Sequence, residues 1–140
     1  MNKKLIILDI DECLIYASEV PLDIACDFES DWCFVYKRPY VDEFIRFCQE
    51  YFKVAIWTSA GSLHADLMVQ NLFPVGYPFE FVYSVRNCTR RYDSEFFQEY
   101  YIKNFRKLKK KGYDLSQIIV IGVLGTFPPN VTLIATAHAP

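Results

Sequence analysis

Two acids stand two residues apart in the segment Leu5-Ile6-Ile7-Leu8-Asp9-Ile10-Asp11. If extended backbone continues past Leu8, the period of two sends both carboxylates to one side. Neighbouring carboxylates repel one another unless a cation or a shared proton offsets the charge. Magnesium suits such a pair, because it prefers hard oxygen ligands and commonly joins one or two carboxylates to a phosphate. Taken alone, the pair equally fits an acidic strand terminus. A second apolar run, Phe52 to Trp57, ends in Thr58-Ser59-Ala60-Gly61. There, hydroxyls and the amides that open a helix can jointly cradle an anion. Helix capping is the plainer use of the same residues. Chemistry is favoured because two successive strands end in complementary groups.

These groups need a sheet to hold them. Residues 4 to 8 form a short Ile- and Leu-rich run, as a strand buried on both faces of a parallel sheet does. After a polar and aromatic stretch from Glu12 to Arg38, Pro39 opens a helix in which Val41, Phe44, Ile45 and Cys48 share a face and Asp42 and Glu43 occupy the first turn. Phe52 to Trp57 is the second strand. A second helix is expected from Ser62, with Ser62 as cap and Leu63, Leu67 and Leu72 inward, stopped by Pro74, Gly76 and Pro78. Phe79 to Val85 is expected as a third strand. A third helix from about Glu95 to Lys110 is expected from the stripe Tyr101, Phe105 and Leu108, with lysines at its carboxyl end and Gly112 closing it. Gln117 to Ile121 completes an alternation that predicts an α/β fold with a mostly parallel sheet. In such sheets ligands bind beyond the carboxyl ends of the strands, where Asp9, Asp11 and Thr58 lie.

The 140 residues suit one compact core, and 52% apolar and 17% aromatic residues exclude a disordered or fibrous chain. A net charge of −2 supplies no overall field for gathering nucleic acid. The charges at Asp9 and Asp11 break the only apolar run near the amino terminus, and no window approaches the length of a membrane span. A soluble intracellular protein, cytoplasmic or nuclear, is expected. The 5 cysteines are odd in number and form no CxxC pair, and His64 and His138 are far apart, so neither a disulfide framework nor a zinc site is supported. Gly122 to Pro140 contain no Asp, Glu, Lys or Arg, unlike all that precedes.

The blocks DIDECLIYA (Asp9 to Ala17), KRPYVDEFI (Lys37 to Ile45), AIWTSA (Ala55 to Ala60), SVRNCTRRYD (Ser84 to Asp93) and YYIKNFRKLKKKGYDLSQIIVI (Tyr100 to Ile121) resemble, in order, those of the haloacid dehalogenase superfamily. More narrowly they are similar to its FCP1/SCP-like phosphatases, the nuclear-LIM-interactor-interacting-factor domain. The resemblance implies a HAD-like Rossmannoid three-layer α/β fold without a large cap domain. It also implies a Mg2+-dependent phosphatase working through an aspartyl-phosphate. In that pattern Asp9 is nucleophile and metal ligand, and Asp11 is general acid and base whose main-chain carbonyl also meets the metal. Thr58 hydrogen-bonds the phosphoryl group, and Lys103 neutralises charge on nucleophile and phosphate. Apart from that pattern, the residues themselves offer the Ser59 hydroxyl beside Thr58 and Arg86 as further candidates on the substrate side. Arg90 and Arg91 could join Arg86 on an anionic substrate, although a solvated face is their plainer reading.

Two departures from the pattern stand out. Cys13 replaces a usual threonine, and a thiol is a weaker donor. After Ile121, Gly122 and Val123 replace an acidic pair, one member of which supplies a metal-ligand side chain. Residues 1–121 therefore read as the homology domain, incomplete at its carboxyl end, and 122–140 as a divergent tail, truncated or frame-shifted and expected to pack poorly. The leading expectation is hydrolysis of phosphoserine or phosphothreonine in a protein, or of another accessible phosphoester, with activity reduced by the missing pair. The alternative is a catalytically silent phosphopeptide-binding or interaction protein. Nucleic acid is disfavoured as a partner, although the 3′-phosphatases of nucleic-acid repair share the superfamily chemistry. Neither a membrane partner nor an oligomeric state is read from the sequence.

Overall fold

The structure is a computed structural model that describes residues 3–122 and, in backbone, 132–135. The central sheet is built from β1 (Leu5–Leu8), β5 (Lys53–Trp57), β6 (Phe79–Tyr83), β9 (Ile118–Gly122) and β10 (Thr132–Ala135), in the order β10-β9-β1-β5-β6. Every neighbouring pair is parallel. β1 pairs Leu8 with Ile56 on one side and with Ile121 on the other. The chain moves outward from β1 to β5 and β6, then returns to β9 on the far side of β1. β1 thus lies at the topological switch point, where open α/β sheets bind ligands.

The continuous apolar runs have a simple cause. Alternate residues of each central strand feed two separate cores. Ile6, Leu8, Val54 and Ile56 pack with Val41, Ile45 and Cys48 of α1 (Val41–Tyr51) and with Met68 and Leu72 of α2 (Ser62–Leu72). Leu5, Ile7, Ala55 and Trp57 pack on the other face with Phe105 and Leu108, the latter in the short α3 (Arg106–Lys110). This is a three-layer α/β fold, with each fully buried aliphatic side chain contributing about 1.5–3 kcal/mol.

Three expectations change, and the polar and aromatic stretch from Glu12 to Arg38, for which the sequence reading names no element, gains one. It folds into an antiparallel sheet of β2 (Ile15–Ser18), β3 (Phe28–Glu29) and β4 (Phe34–Lys37), in the order β2-β4-β3, and no large cap domain is inserted there. The third strand ends at Tyr83, and Val85–Asn87 form a 3-10 turn. Ser62 does not cap α2; that place is taken by Gly61, and Leu63 is 80% exposed while Ala65, Met68 and Leu72 turn inward. The long third helix is absent. Its first half holds β8 (Gln98–Ile102), which pairs antiparallel with the preceding β7 (Thr89–Asp93) in a hairpin and carries Tyr101 away from Phe105 and Leu108. Cross-strand pairing, which sets Tyr101 opposite Arg90 and Tyr100 opposite Arg91, outweighs the helical spacing there.

Cys13, Cys33, Cys48 and Cys88 are buried, and burial pushes the Cys48 thiol up to about 11. At the carboxyl end, Thr132–Ala135 pairs in register with β9, so at least this part of the uncharged tail extends the sheet. The remainder of the expectation for 122–140, beyond Gly122, lies outside the described residues. Among the described residues no helix is long and apolar enough to cross a membrane.

Candidate active site

Asp9 is the first residue past β1, and its amide donates to the Ile121 carbonyl at 3.0 Å, which extends the β1–β9 ladder by one step. This fixes the backbone on which the carboxylate stands. Its Oδ1 accepts the Ile10 amide at 2.8 Å, and its Oδ2 lies 3.2 Å from the Lys103 ammonium. Burial pushes the Asp9 carboxyl above the usual aspartate range. Lys103 and the Ile10 amide oppose that rise, and the charge of Asp11 adds to it. Desolvation therefore prevails over a well-placed counter-ion.

Past Asp9 the chain turns sharply. The amides of Cys13, Leu14 and Ile15 all converge on the Ile10 carbonyl, and Glu12 has a left-handed backbone with φ 60°. Arg38 secures this loop, donating from Nε to the Cys13 carbonyl at 2.6 Å. The Cys13 thiol donates to the Ile121 carbonyl at 3.7 Å, a long contact of the weak kind expected of sulfur in place of a hydroxyl. Asp11, held in this loop, has its Oδ1 3.1 Å from His64 Nε2.

Thr58 follows β5 as Asp9 follows β1, on the same edge of the sheet because the two strands are parallel. It is 1% exposed, and its amide donates to the Tyr83 carbonyl at 3.0 Å. Its Oγ1 accepts the Ala60 amide at 3.1 Å, which leaves the hydroxyl proton for another acceptor. Ser59 is exposed in the same turn. Arg86 is exposed in the 3-10 turn after β6, which is tied to the Thr58 turn by the Val85 amide donating to the Ala60 carbonyl at 2.8 Å. The structure thus brings Lys103 directly to Asp9 and sets Thr58, Ser59 and Arg86 along the same edge, with no ion pair between Arg86 and either aspartate among the described residues.

His64 is the residue that sequence reasoning missed. It was weighed there only as a zinc ligand. Its position in the first turn of a helix that starts at the carboxyl edge of β5 was the available signal.

The donor set bears on Mg2+. A Cβ built on Gly122 would lie 3.6 Å from Asp9 Cβ and 3.9 Å from Asp9 Oδ2, so this position faces Asp9 and accommodates a Cβ, yet glycine brings no side-chain oxygen. Among the described residues no group of three or more His, Cys, Asp or Glu could hold a metal. The residues present suit a hard cation only in the open manner of Mg2+, with few protein ligands and the rest supplied by phosphate and water.

Comparison with known proteins places these observations. The model of the NLI interacting factor-like phosphatase family matches residues 4–124. The human carboxy-terminal domain RNA polymerase II polypeptide A small phosphatase 2 is 28% identical over 123 residues, covering 83% of this chain and 42% of that protein. The Caenorhabditis elegans CTD small phosphatase-like protein 1 is 36% identical over 72 residues, 46% of this chain and 15% of that protein. The mitochondrial import inner membrane translocase subunit tim50 of Emericella nidulans is 34% identical over 90 residues, 62% of this chain and 14% of that protein. The chain spans less than half the length of each. The solved structure of Fcp1, an essential RNA polymerase II CTD phosphatase, superposes with a TM-score of 0.68 at 18% identity over 99% of this chain and 42% of that one, a likeness of fold. The chain belongs to the NLI interacting factor-like phosphatase family.

Proposed function

We propose that the chain is a phosphomonoester hydrolase that forms an aspartyl-phosphate on Asp9, with phosphoserine or phosphothreonine in a protein as its substrate class. The observation that carries this reading is the partly buried Asp9 carboxylate held against Lys103 at 3.2 Å at the switch point of the sheet. An Asp9 oxygen attacks phosphorus as the bond to the leaving oxygen breaks, and the Asp11 carboxyl gives that oxygen its proton. Water then attacks phosphorus and yields its proton to Asp11, and the bond from phosphorus to Asp9 breaks, releasing phosphate. Lys103 and the Thr58 hydroxyl offset charge on the phosphoryl oxygens. Mg2+, held by the Asp9 carboxylate and the Asp11 main-chain carbonyl, would supply further charge neutralisation.

The names of the human and Caenorhabditis elegans relatives support phosphatase chemistry, and the small antiparallel sheet in place of a cap suits a phosphate carried on a protein; the cytoplasm or nucleus is the location proposed. The test is release of phosphate from p-nitrophenyl phosphate and from phosphoserine peptides by the purified chain and by Asp9→Asn, across a Mg2+ titration. Turnover that disappears with Asp9→Asn and with chelation supports the reading. Turnover that survives loss of the Asp9 carboxylate defeats it. Gly122 favours a second reading, a silent phosphopeptide-binding protein, because it brings no side-chain oxygen to a position that faces Asp9. Saturable phosphopeptide binding without phosphate release at any Mg2+ concentration would select it.

A further inference from the structure

We infer that His64 is a positioning residue for the proposed acid and base, holding the Asp11 carboxyl in place through its Nε2–H. The inference rests on the phosphatase reading for its kinetic consequence, but the contact itself does not. His64 Nε2 lies 3.1 Å from Asp11 Oδ1, and the two residues are 53 positions apart, so only the tertiary fold joins them. The imidazole side chain is 19% exposed and the Asp11 side chain 35%. The more solvated partner is the one that has to move a proton, and the more enclosed one holds it.

The elements explain why this pair forms. Gly61 starts α2, and the Ala65 amide donates to the Gly61 carbonyl at 2.9 Å, which fixes His64 within the first turn at the carboxyl edge of the sheet. Asp11 sits in the loop closed on the Ile10 carbonyl and braced by Arg38. The loop backbone is therefore fixed, while the Asp11 side chain still has two rotatable bonds. A hydrogen bond from a rigid helix to Oδ1 removes that freedom and leaves Oδ2 outside the contact. In the first chemical step the proton on the Asp11 carboxyl passes to the leaving oxygen as the P–O bond breaks, and Asp11 becomes a carboxylate. The His64 N–H remains in place and hydrogen-bonds the carboxylate so formed.

A serine alkoxide needs that proton and a p-nitrophenolate hardly does. Misplacing Asp11 therefore penalises the two substrates unequally. A general acid contributes about 10²–10⁴-fold, so losing part of its alignment should cost about tenfold. The experiment measures kcat/KM, which reports the first irreversible step, for a phosphoserine peptide and for p-nitrophenyl phosphate with wild type, His64→Gln and His64→Leu. Expected is a fall of about tenfold in the peptide-to-aryl ratio for His64→Leu, with most of it restored in His64→Gln, whose amide can still donate. An unchanged ratio in His64→Leu, even with both rates lowered together, overturns the inference, because a merely structural histidine would do that. Imidazole nitrogen-15 spectra of wild type and Asp11→Ala test the pair without turnover. Wild type should show one tautomer with Nε2 protonated, and Asp11→Ala a mixture. Identical spectra overturn the inference, whereas absence of phosphate release with the expected spectral change defeats the phosphatase reading and leaves the pairing standing.

Discussion

Asp9 holds a carboxylate where the protein would be more stable without its charge. Its folded pKa is raised, so the folded state binds its proton more tightly than the unfolded state does. The stability this protonation contributes is present below the ordinary carboxylate range and is lost as pH rises through the raised value. At neutral pH the ionised group is a cost, only partly offset by Lys103. Asp9→Asn should therefore abolish turnover and raise the unfolding free energy at pH 7, seen as a higher urea midpoint, by an amount in the ~0.5–2 kcal/mol range typical of stabilising substitutions. A lowered midpoint would show that the Lys103 contact dominates. The companion variant is Lys103→Met. It removes the strongest influence that lowers the Asp9 carboxyl, so the acidic limb of the kcat/KM profile should move to higher pH, and a limb that stays in place would contradict the Asp9 assignment.

The hairpin of β7 and β8 shows what local pattern reveals and what it conceals. The central strands were legible because each is an apolar run buried on both faces, and α1 because Val41, Ile45 and Cys48 repeat at helical spacing. Tyr101, Phe105 and Leu108 share that spacing, but the first belongs to a strand whose partner, Arg90, lies 11 residues earlier. Pairing at that distance leaves no mark in a helical window. Asp9 was legible from its place after a buried strand, whereas the His64 contact joins two elements and was not. The hairpin also carries its own cost. Phe97 adopts a left-handed backbone, φ 50°, while 83% exposed, so its ring recovers little by burial. That backbone costs a non-glycine residue about 1–2 kcal/mol, and glycine gives back roughly 0.5–1 kcal/mol through the entropy of the unfolded chain. Phe97→Gly should raise stability by a few tenths to about 1 kcal/mol in chemical denaturation. A loss of stability would mean that the aromatic ring packs more than its exposure implies.

At the scale of the molecule, the proposed Mg2+ would link the sheet to its chemistry, and Gly122 is where that proposal can be tested. Gly122 closes β9 beside Asp9, and a Cβ there meets Asp9 Cβ, Asp9 Oδ2 and Val120 Cγ1 at 3.6, 3.9 and 4.0 Å, ordinary contact distances that need no rearrangement. A Cβ at position 122 is therefore accommodated, and the consequences expected of Gly122→Asp are electrostatic. The introduced carboxylate joins Asp9 and Asp11, with Lys103 as the ammonium already engaged by Asp9. Without a divalent cation, a third negative charge at this edge raises the cost of folding, so the melting temperature in chelator should fall below that of wild type. With Mg2+ the same charge becomes a ligand. Binding to the folded state alone adds RT ln(1 + [L]/Kd), about 2.7 kcal/mol when the ion is at one hundred times its Kd. The melting temperature of the variant should therefore rise with Mg2+ more steeply than that of wild type, whose few protein ligands hold the ion more weakly. Phosphate release should rise in parallel if metal occupancy limits it. Equal Mg2+ dependence in the two proteins would remove position 122 from the metal site. A steeper dependence without gain in turnover would show that occupancy is restored but does not limit the reaction.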